Sequence, residues 1–318
     1  FGTMKAEKNK FRHFGVDISR NEETLDVQMC QKSYIANLKP ISRKKEKGRT
    51  VECDSNPQEV TDFRSLVSGI AWVGITSPGA QAVASLMQGF LPIPKLKHLD
   101  MANAALQQLI DEYVPLVFRF GFDLSSSKLL LQTDSSLGNN QKYSQGGFVL
   151  FLCENHPQNL AGHVNLIGFR SGKSKRVANS TSAAETLAMN AGLETALHIQ
   201  TWLAELQNPL LTPKQMTTLP SNEMLPIDAC TDCNDLYSNL MNPAQPNLVN
   251  LSMTLHMSAL RAERECKRVR AWIWLDTDDM LANPLTKLNV DGTLPQEDLV
   301  ECLKTGWWAP VSYTHLTL

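Results

Sequence analysis

No apolar run in the chain approaches the ~18 residues of a membrane-spanning helix, and no signal-peptide pattern opens it. A soluble protein with no membrane partner is expected. Charge of one sign is also lacking. Thirty Lys and Arg stand against 32 Asp and Glu, a formal net charge of −2, which excludes a uniformly basic nucleic-acid coat and leaves room only for a local basic face. The seven cysteines are odd in number and irregularly spaced, so no secreted disulfide framework is expected and the chain reads as one from a reducing compartment. Cys230 and Cys233, the close pair in "CTDC", have no second CxxC or histidine pair to complete a zinc site. Free thiols are expected there. None of the seven histidines has neighbours that would make it a general base, and no internal repeats occur.

What is present suffices for a core: 42% of the residues are hydrophobic, and the length of 318 suggests two domains. The sequence starts at Phe1 in mid-pattern, so it reads as a piece of something longer. Residues 311–318, "VSYTHLTL", continue no periodicity and resemble a translated sequencing-adapter tail. They are set aside from the fold reading.

Alternation in "FRHFGVDIS" and "TLDVQMC", with "RNEE" as the turn, predicts a hairpin in which Leu25, Val27 and Met29 share a face. A short helix, "QKSYIANL", and a polar Lys-rich loop over residues 42–59 follow. From Thr61, the apolar positions Phe63, Leu66, Val67, Ile70 and Val73 fall at helical spacing. Two more helices fit "AQAVASLMQGF" and "KLKHLDMANAALQQLIDEY". After Asp123 the pattern changes to three strands, "KLLLQTD", "GGFVLFLCE" and "HVNLIGFRS". A long helix over residues 183–206, a Pro-rich loop, a strand "IDACTD", helices "NDLYSNLM" and "MTLHMSALRAERECK", a strand "RVRAWIWLD" and a helical piece over residues 278–288 complete the string. The order βββ-α-β-α-α-β predicts an α/β (α+β) domain with a mixed sheet and flanking helices.

Three carboxylates hold the chemical interest. Asp134 ends the first of these strands, Glu185 lies in the first turn of the long helix, and Asp232 ends the fourth strand. Each also has a structural reading: turn chemistry in "TDSSLGNN", a capping box in "SAAE", and a helix N-cap at Asp232. Together they mean more. Adjacent strands ending at one edge would set Asp134 beside Asp232, and a crossing helix could add Glu185. Three like charges so close repel unless a divalent cation neutralises them. All-oxygen ligands select Mg²⁺ or Mn²⁺ over zinc, and such a site suits two-metal hydrolysis of a phosphodiester.

The stretches "LLLQTDSS", "SGKSKRVANSTSAAETLA", "TDCNDLY" and "MLANPLTK" resemble the ribonuclease H domain of copia-type LTR-retrotransposon Pol polyproteins. Upstream, "FRHFGVDI", "QKSYIANL", "FRSLVSGIAWVG" and "HLDMANAALQQL" resemble the segment that follows the reverse-transcriptase palm in the same polyproteins. The resemblance runs from about Phe11 to Lys287. It implies a ribonuclease H-like mixed five-stranded sheet in residues 124–290, preceded by a C-terminal, thumb- or connection-like part of reverse transcriptase in residues 1–123, a hairpin plus three helices. Residues 291–310 are then a tail. The implied activity is endonucleolytic cleavage of the RNA strand of an RNA–DNA hybrid with two Mg²⁺ or Mn²⁺ ions per site, leaving 5′-phosphate and 3′-hydroxyl ends. The implied partners are the hybrid and the rest of the Pol polyprotein, and the implied location is cytoplasmic, in a virus-like particle, or nuclear.

Carried over residue by residue, Asp134, Glu185 and Asp232 match the family's first three metal-binding carboxylates; Asp228, four residues before Asp232, is the poorer match. The fourth, an Asp just before "LTK", is replaced here by Asn283. An amide keeps a carbonyl ligand but loses the charge, so weaker occupancy of one metal position follows, with Asp279 one turn earlier as a compensating candidate. A decayed domain that still binds nucleic acid is the alternative reading. No Y-x-D-D polymerase motif occurs, and "TSPG" stands where the family has Arg-Pro-Asp. Lys173, Lys175 and Arg176 are candidates for phosphate contact. "GFRSGKS" has too few residues between its glycines for a phosphate-binding loop. The run Arg261, Arg264, Lys267, Arg268, Arg270 reads as a solvated helix face, and Trp272 and Trp274 as core.

Overall fold

The computed structural model describes residues 8–43, 48–138, 144–156, 160–216, 224–242, 251–311 and 313–315. The remainder of the Lys-rich loop, of the turn after Asp134, of the Pro-rich loop and of the C-terminal eight residues lies outside the described residues. The chain forms two compact units, Phe1–Gly121 with Leu288–Thr305, and Phe122–Lys287 with Gly306–Leu318.

In the first unit, β1 (Lys10–His13), β2 (Val16–Arg20), β3 (Val27–Cys30) and β4 (Leu116–Phe118) form an antiparallel sheet in chain order. The expectation of a single hairpin needs correcting twice. Phe14 and Gly15 both take positive φ (45° and 79°) between β1 and β2, the two-residue turn that suits the twist of a hairpin. β4, only three residues long, joins β3 from far along the chain. The helices are α1 (Lys32–Ile35), α2 (Pro57–Val73), α3 (Pro78–Gln88) and α4 (Leu96–Glu112). α2 buries Phe63, Leu66, Val67, Ile70 and Val73, the set its spacing predicts. It starts inside the expected loop because Asn56 and Glu59 form a reciprocal capping box with Pro57 in the first helical position. Residues 288–305 do not trail away as the tail reading has it from residue 291. The Gln108 side chain donates to the Leu294 carbonyl (2.9 Å) and accepts from its N–H (2.8 Å), tying them to α4.

The second unit is built on β5 (Ser127–Ser136), β6 (Gln145–Glu154) and β7 (Gly162–Lys173), an antiparallel meander. Then come α5 (Thr181–Gln207), α6 (Pro213–Met216), β8 (Ile227–Thr231), α7 (Asn234–Met241), α8 (Leu251–Glu265) and β9 (Val269–Leu275). β8 runs parallel to β5, and β9 parallel to β8. The order β7-β6-β5-β8-β9 is the ribonuclease H-like mixed sheet that the resemblance implies, extended at its edges by β10 (Trp307–Trp308) and β11 (Tyr313–His315). β11 falls within the residues set aside at the sequence level.

Both faces of β5 are covered, which explains why all ten of its residues are buried. Leu129 and Leu131 join Phe148 and Leu150 of β6 against Met189, Leu193 and Ala196 of α5. On the other face, Gln132 Oε1 accepts from the Leu281 N–H (2.8 Å) and Ser136 Oγ donates to the Thr286 carbonyl (2.8 Å). That covering segment is not the helix expected over residues 278–288. It holds two 3₁₀ turns, Thr277–Asp279 and Asn283–Leu285, with Pro284 inside the second, where a proline lacks the N–H that a continuing helix needs.

The arginines of the expected solvated face are also in use. Arg261 and Arg264 donate to the Asn239 and Leu240 carbonyls at the end of α7, and Arg268 pairs with Glu263. Arg270 pairs with the buried Asp228. Trp272 is buried in the core, as expected.

Candidate metal centre

Parallel pairing of β5 with β8 aligns Leu129 with Ile227 and Gln132 with Cys230, and that register carried two residues further sets Asp134 beside Asp232 at the same sheet edge. α5 enters there with Glu185 near its start. One carboxylate oxygen from each of Asp134, Glu185 and Asp232 lies within 4.8 Å of the others, with the first two residues buried and the third half-buried.

The structural readings of these residues fail one by one. Asp134 is a strand residue, 2% exposed. The N-cap of α5 is Ser180, whose side chain accepts from the Ala183 N–H, and Glu185 instead turns to β5, where its Oε1 accepts from the Ser135 N–H (3.0 Å) and hydroxyl (2.8 Å). Asp232 does not cap α7; the cap position is Cys233, without a side-chain bond. Asp232 Oδ2 accepts instead from the Thr277 hydroxyl (2.9 Å).

The second oxygen of Glu185, Oε2, is buried with no hydrogen-bond partner among the described residues. A bare buried carboxylate oxygen is costly unless something cationic meets it. With an all-oxygen donor set and two like charges beside it, the cluster fits a hard divalent ion, Mg²⁺ or Mn²⁺.

Asp134 is fixed from the other side. Thr286 Oγ1 donates to its Oδ2, and Lys287 Nζ lies 4.0 Å from the same oxygen. Gly147, the register partner of Asp134 on β6, makes this approach possible: a Cβ there would stand 2.6 Å from Leu285 Cβ and 3.2 Å from Thr286 Cγ2. Gly147→Val is therefore expected to cost about 1–3 kcal/mol and to weaken Mn²⁺ binding by displacing Thr286. Thermal melts and metal titration check both effects.

Among the sequence candidates, Asn283 turns to a neighbouring lysine. Its amide oxygen accepts from Lys287 Nζ (2.8 Å). Asp279 does not compensate; its Oδ1 accepts from the Val311 N–H (2.9 Å), and it is outside the acidic cluster. Asp228 is engaged with Lys128 and Arg270 and is also outside it. Ser135, Gly147, Thr277, Thr286 and Lys287 were not identified from sequence as site residues. The quoted "LTK" contains the last two, but only the fold shows which strand they reach.

No family model matches the sequence, and no curated protein matches it. Solved structures do resemble it. The N-terminal RNase H domain of a Mycobacterium tuberculosis protein, fused to maltose binding protein, is 12% identical with a TM-score of 0.34, covering 57% of this chain and 98% of that one. RNase H1 from Halobacterium salinarum is 12% identical over 48% of this chain and 87% of that one, at a TM-score of 0.30. An RNase H1 isolated from compost, solved in complex with an RNA/DNA hybrid, is 11% identical over 50% of this chain and 94% of that one, at a TM-score of 0.32. The fold assignment stands on the strand order, and the chemistry on the carboxylates.

Electrostatics at the cluster follow from burial. Desolvation, then the charge of Asp134, pushes the Glu185 carboxyl from 4.5 up to about 8. Desolvation likewise pushes Asp134 from 3.8 up to about 6, with Lys287 and Thr286 pulling the other way. The folded chain thus holds protons that the unfolded chain has already released. Stability in chelator should fall as pH rises from about 4 through 6 to 8, then level off. Mg²⁺ should remove most of that fall, since it binds the ionised carboxylates. Melting curves at pH 5, 7 and 8 with and without Mg²⁺ check this; a flat profile in chelator would count against a desolvated cluster.

A groove of about 320 Å³ is lined by Gly147, the register partner of Asp134, and by Ala184, the residue before Glu185. Gly146 and Gly147 of β6 and Ala184, Ala188 and Ala191 of α5 keep its floor low, and Arg170, Lys173, Lys175 and Arg176 bring positive charge to it. All three sequence-predicted phosphate contacts therefore line one groove, and Arg170 joins them.

Proposed function

We propose that this chain is a divalent-metal-dependent nuclease that hydrolyses the RNA strand of RNA–DNA hybrids. The observation that carries this reading is the trio Asp134, Glu185 and Asp232 at one sheet edge, with a buried Glu185 oxygen that lacks a partner among the described residues. A bound Mg²⁺ or Mn²⁺ would lower the pKa of an attacking water and stabilise phosphate charge. The chain's own residues supply the frame. Ser135 orients Glu185, Thr277 orients Asp232 and Thr286 orients Asp134. Orienting bonds of this kind commonly change metal affinity by about 10–100-fold when removed.

The groove suits a phosphodiester backbone, with Lys173, Lys175 and Arg176 meeting phosphates and hybrid selected by groove shape and 2′-hydroxyls. Each Lys173→Ala or Lys175→Ala change should weaken hybrid binding without sequence preference. It should also reduce the slope of log K against log salt by about one. Binding titrations across a salt series check this.

We infer from the resemblance of the upstream motifs that the chain is a piece of a copia-type retrotransposon Pol polyprotein, its first unit the end of a reverse transcriptase without the polymerase motif. A second reading, a domain that binds hybrid without cutting it, rests on Asn283 at the family's fourth carboxylate.

The test is incubation of the purified chain with end-labelled hybrid, duplex DNA and duplex RNA in Mg²⁺, Mn²⁺ and chelator. Cutting of the RNA strand of hybrid alone, only with metal, to 5′-phosphate and 3′-hydroxyl ends is expected. Binding without cutting, repaired by Asn283→Asp, would establish the second reading. Neither binding nor cutting would refute both.

A further inference from the structure

The neighbour of the acidic cluster that lies outside its carboxylates is a lysine, the last residue of "LTK". Lys287 leaves the second 3₁₀ turn with its Nζ 4.0 Å from Asp134 Oδ2. Asn283 Oδ1, one helical turn back, accepts from the same Nζ at 2.8 Å. The amide and the Asp134 carboxylate thus hold the ammonium between them. Asp134 is buried, yet the Lys287 side chain is 47% exposed, so the charge sits at the mouth of the site where a phosphate could meet it. The Thr286 hydroxyl on Asp134, in the adjacent residue, fixes the backbone from which Lys287 extends.

We propose that the ammonium of Lys287, steered by the Asn283 amide, takes the place beside Asp134 of a second divalent ion, so that the centre works with one divalent ion and one lysine. This rests on the nuclease reading above and specifies how that site is charged.

Two divalent ions add four positive charges to a site, and here three carboxylates face them with a neutral amide where a fourth would be. A carboxylate at position 283 would attract both a second ion and the ammonium. An amide offers a carbonyl dipole, enough to orient a lysine but poor compensation for the dehydration of a divalent ion. Lysine is a compact point charge on a flexible stem, suited to a phosphate oxygen without fixed geometry.

In the hydrolysis, water adds to phosphorus as the bond from phosphorus to the RNA 3′-oxygen breaks. The water's proton leaves to solvent, and the departing 3′-oxygen takes a proton from solvent. Lys287 transfers no proton; it balances charge on the phosphate and the leaving oxygen. Asn283 is a positioning residue that acts through it.

Mn²⁺ bound per chain is counted by calorimetry and by electron paramagnetic resonance, with cleavage measured in parallel on the full chain. The parent is expected to bind one ion, and Asn283→Asp to bind two. Lys287→Ala should bind its ion about tenfold more tightly, because a like charge has gone, and yet cut at least about tenfold more slowly. Lys287→Arg should keep cleavage within a few-fold of the parent. A merely structural lysine would not tighten metal binding while slowing the reaction. Two ions in a parent that cuts hybrid would overturn the lysine assignment and leave the nuclease reading intact, as would Lys287→Ala cutting at the parent rate. A parent that binds no Mn²⁺ and cuts nothing overturns both.

Discussion

Asp134→Asn is expected to lower hybrid cleavage by about 10²–10³-fold or more, the cost of losing one preorganised charged group at a reacting centre, while raising the melting temperature in chelator. The two effects share a cause. Asp134 is buried, and its charge raises Glu185 further above the carboxylate range that burial alone has already left. An amide is nearly the same size, can still accept from Thr286, and removes one charge from a crowded group of three carboxyls. A residue kept for folding loses stability on replacement; one kept for binding a cation gains it when the cation is absent. Cleavage assays beside melts in chelator and in Mg²⁺ separate the cases. A variant that melts lower in chelator and cuts at the parent rate would make Asp134 structural.

The opposite pattern is expected at the far end of β8. Lys128 Nζ lies 3.2 Å from Asp228 Oδ2, each side chain 1% exposed, and Arg270 Nε donates to Asp228 Oδ1 at 2.8 Å. Asp228→Ala would leave Lys128 charged and buried with its counter-ion gone. Loss of one partner from a buried pair costs about 3–5 kcal/mol, a fall in melting temperature of roughly 10 °C for a unit of this size. Cleavage at temperatures where the variant stays folded should be unchanged, because Asp228 is outside the acidic cluster. Activity lost without loss of stability would mean that Asp228, not Asp232, completes the site.

Much of the second unit was legible because its elements are long and strongly patterned. The β5 to β7 meander, α5 and the pair β8 and β9 are each rich in apolar residues set in strand-length segments or at helical spacing, and local pattern suffices for those. The three carboxylates were legible for a different reason: each stands at the end of an element, and the order of the elements brings those ends together. What escaped depends on contacts between distant parts of the chain. β4 is three residues whose pairing with β3 is set by the intervening helices. Ser182 and Ser180 are equally good caps on paper, and it is the Ser180 hydroxyl that accepts from the Ala183 N–H, while Glu185 reaches Ser135 instead of closing a capping box. The arginines after Asn239 read as surface because nothing local reveals the α7 carbonyls that they meet. Thr286 and Lys287 could not be assigned to Asp134 before Gly147 was seen to admit their segment to the sheet.

A divalent ion held between Asp134, Glu185 and Asp232 is what the proposed nuclease requires, and a crystal of the chain soaked in Mn²⁺ tests for it directly. An anomalous-scattering peak is expected within about 2–2.3 Å of an oxygen from each of the three residues, including the Glu185 oxygen that lacks a partner among the described residues, and it should vanish in Glu185→Gln. No peak at the cluster in a chain that still cuts hybrid with Mn²⁺, or a peak bound by other residues, would contradict it.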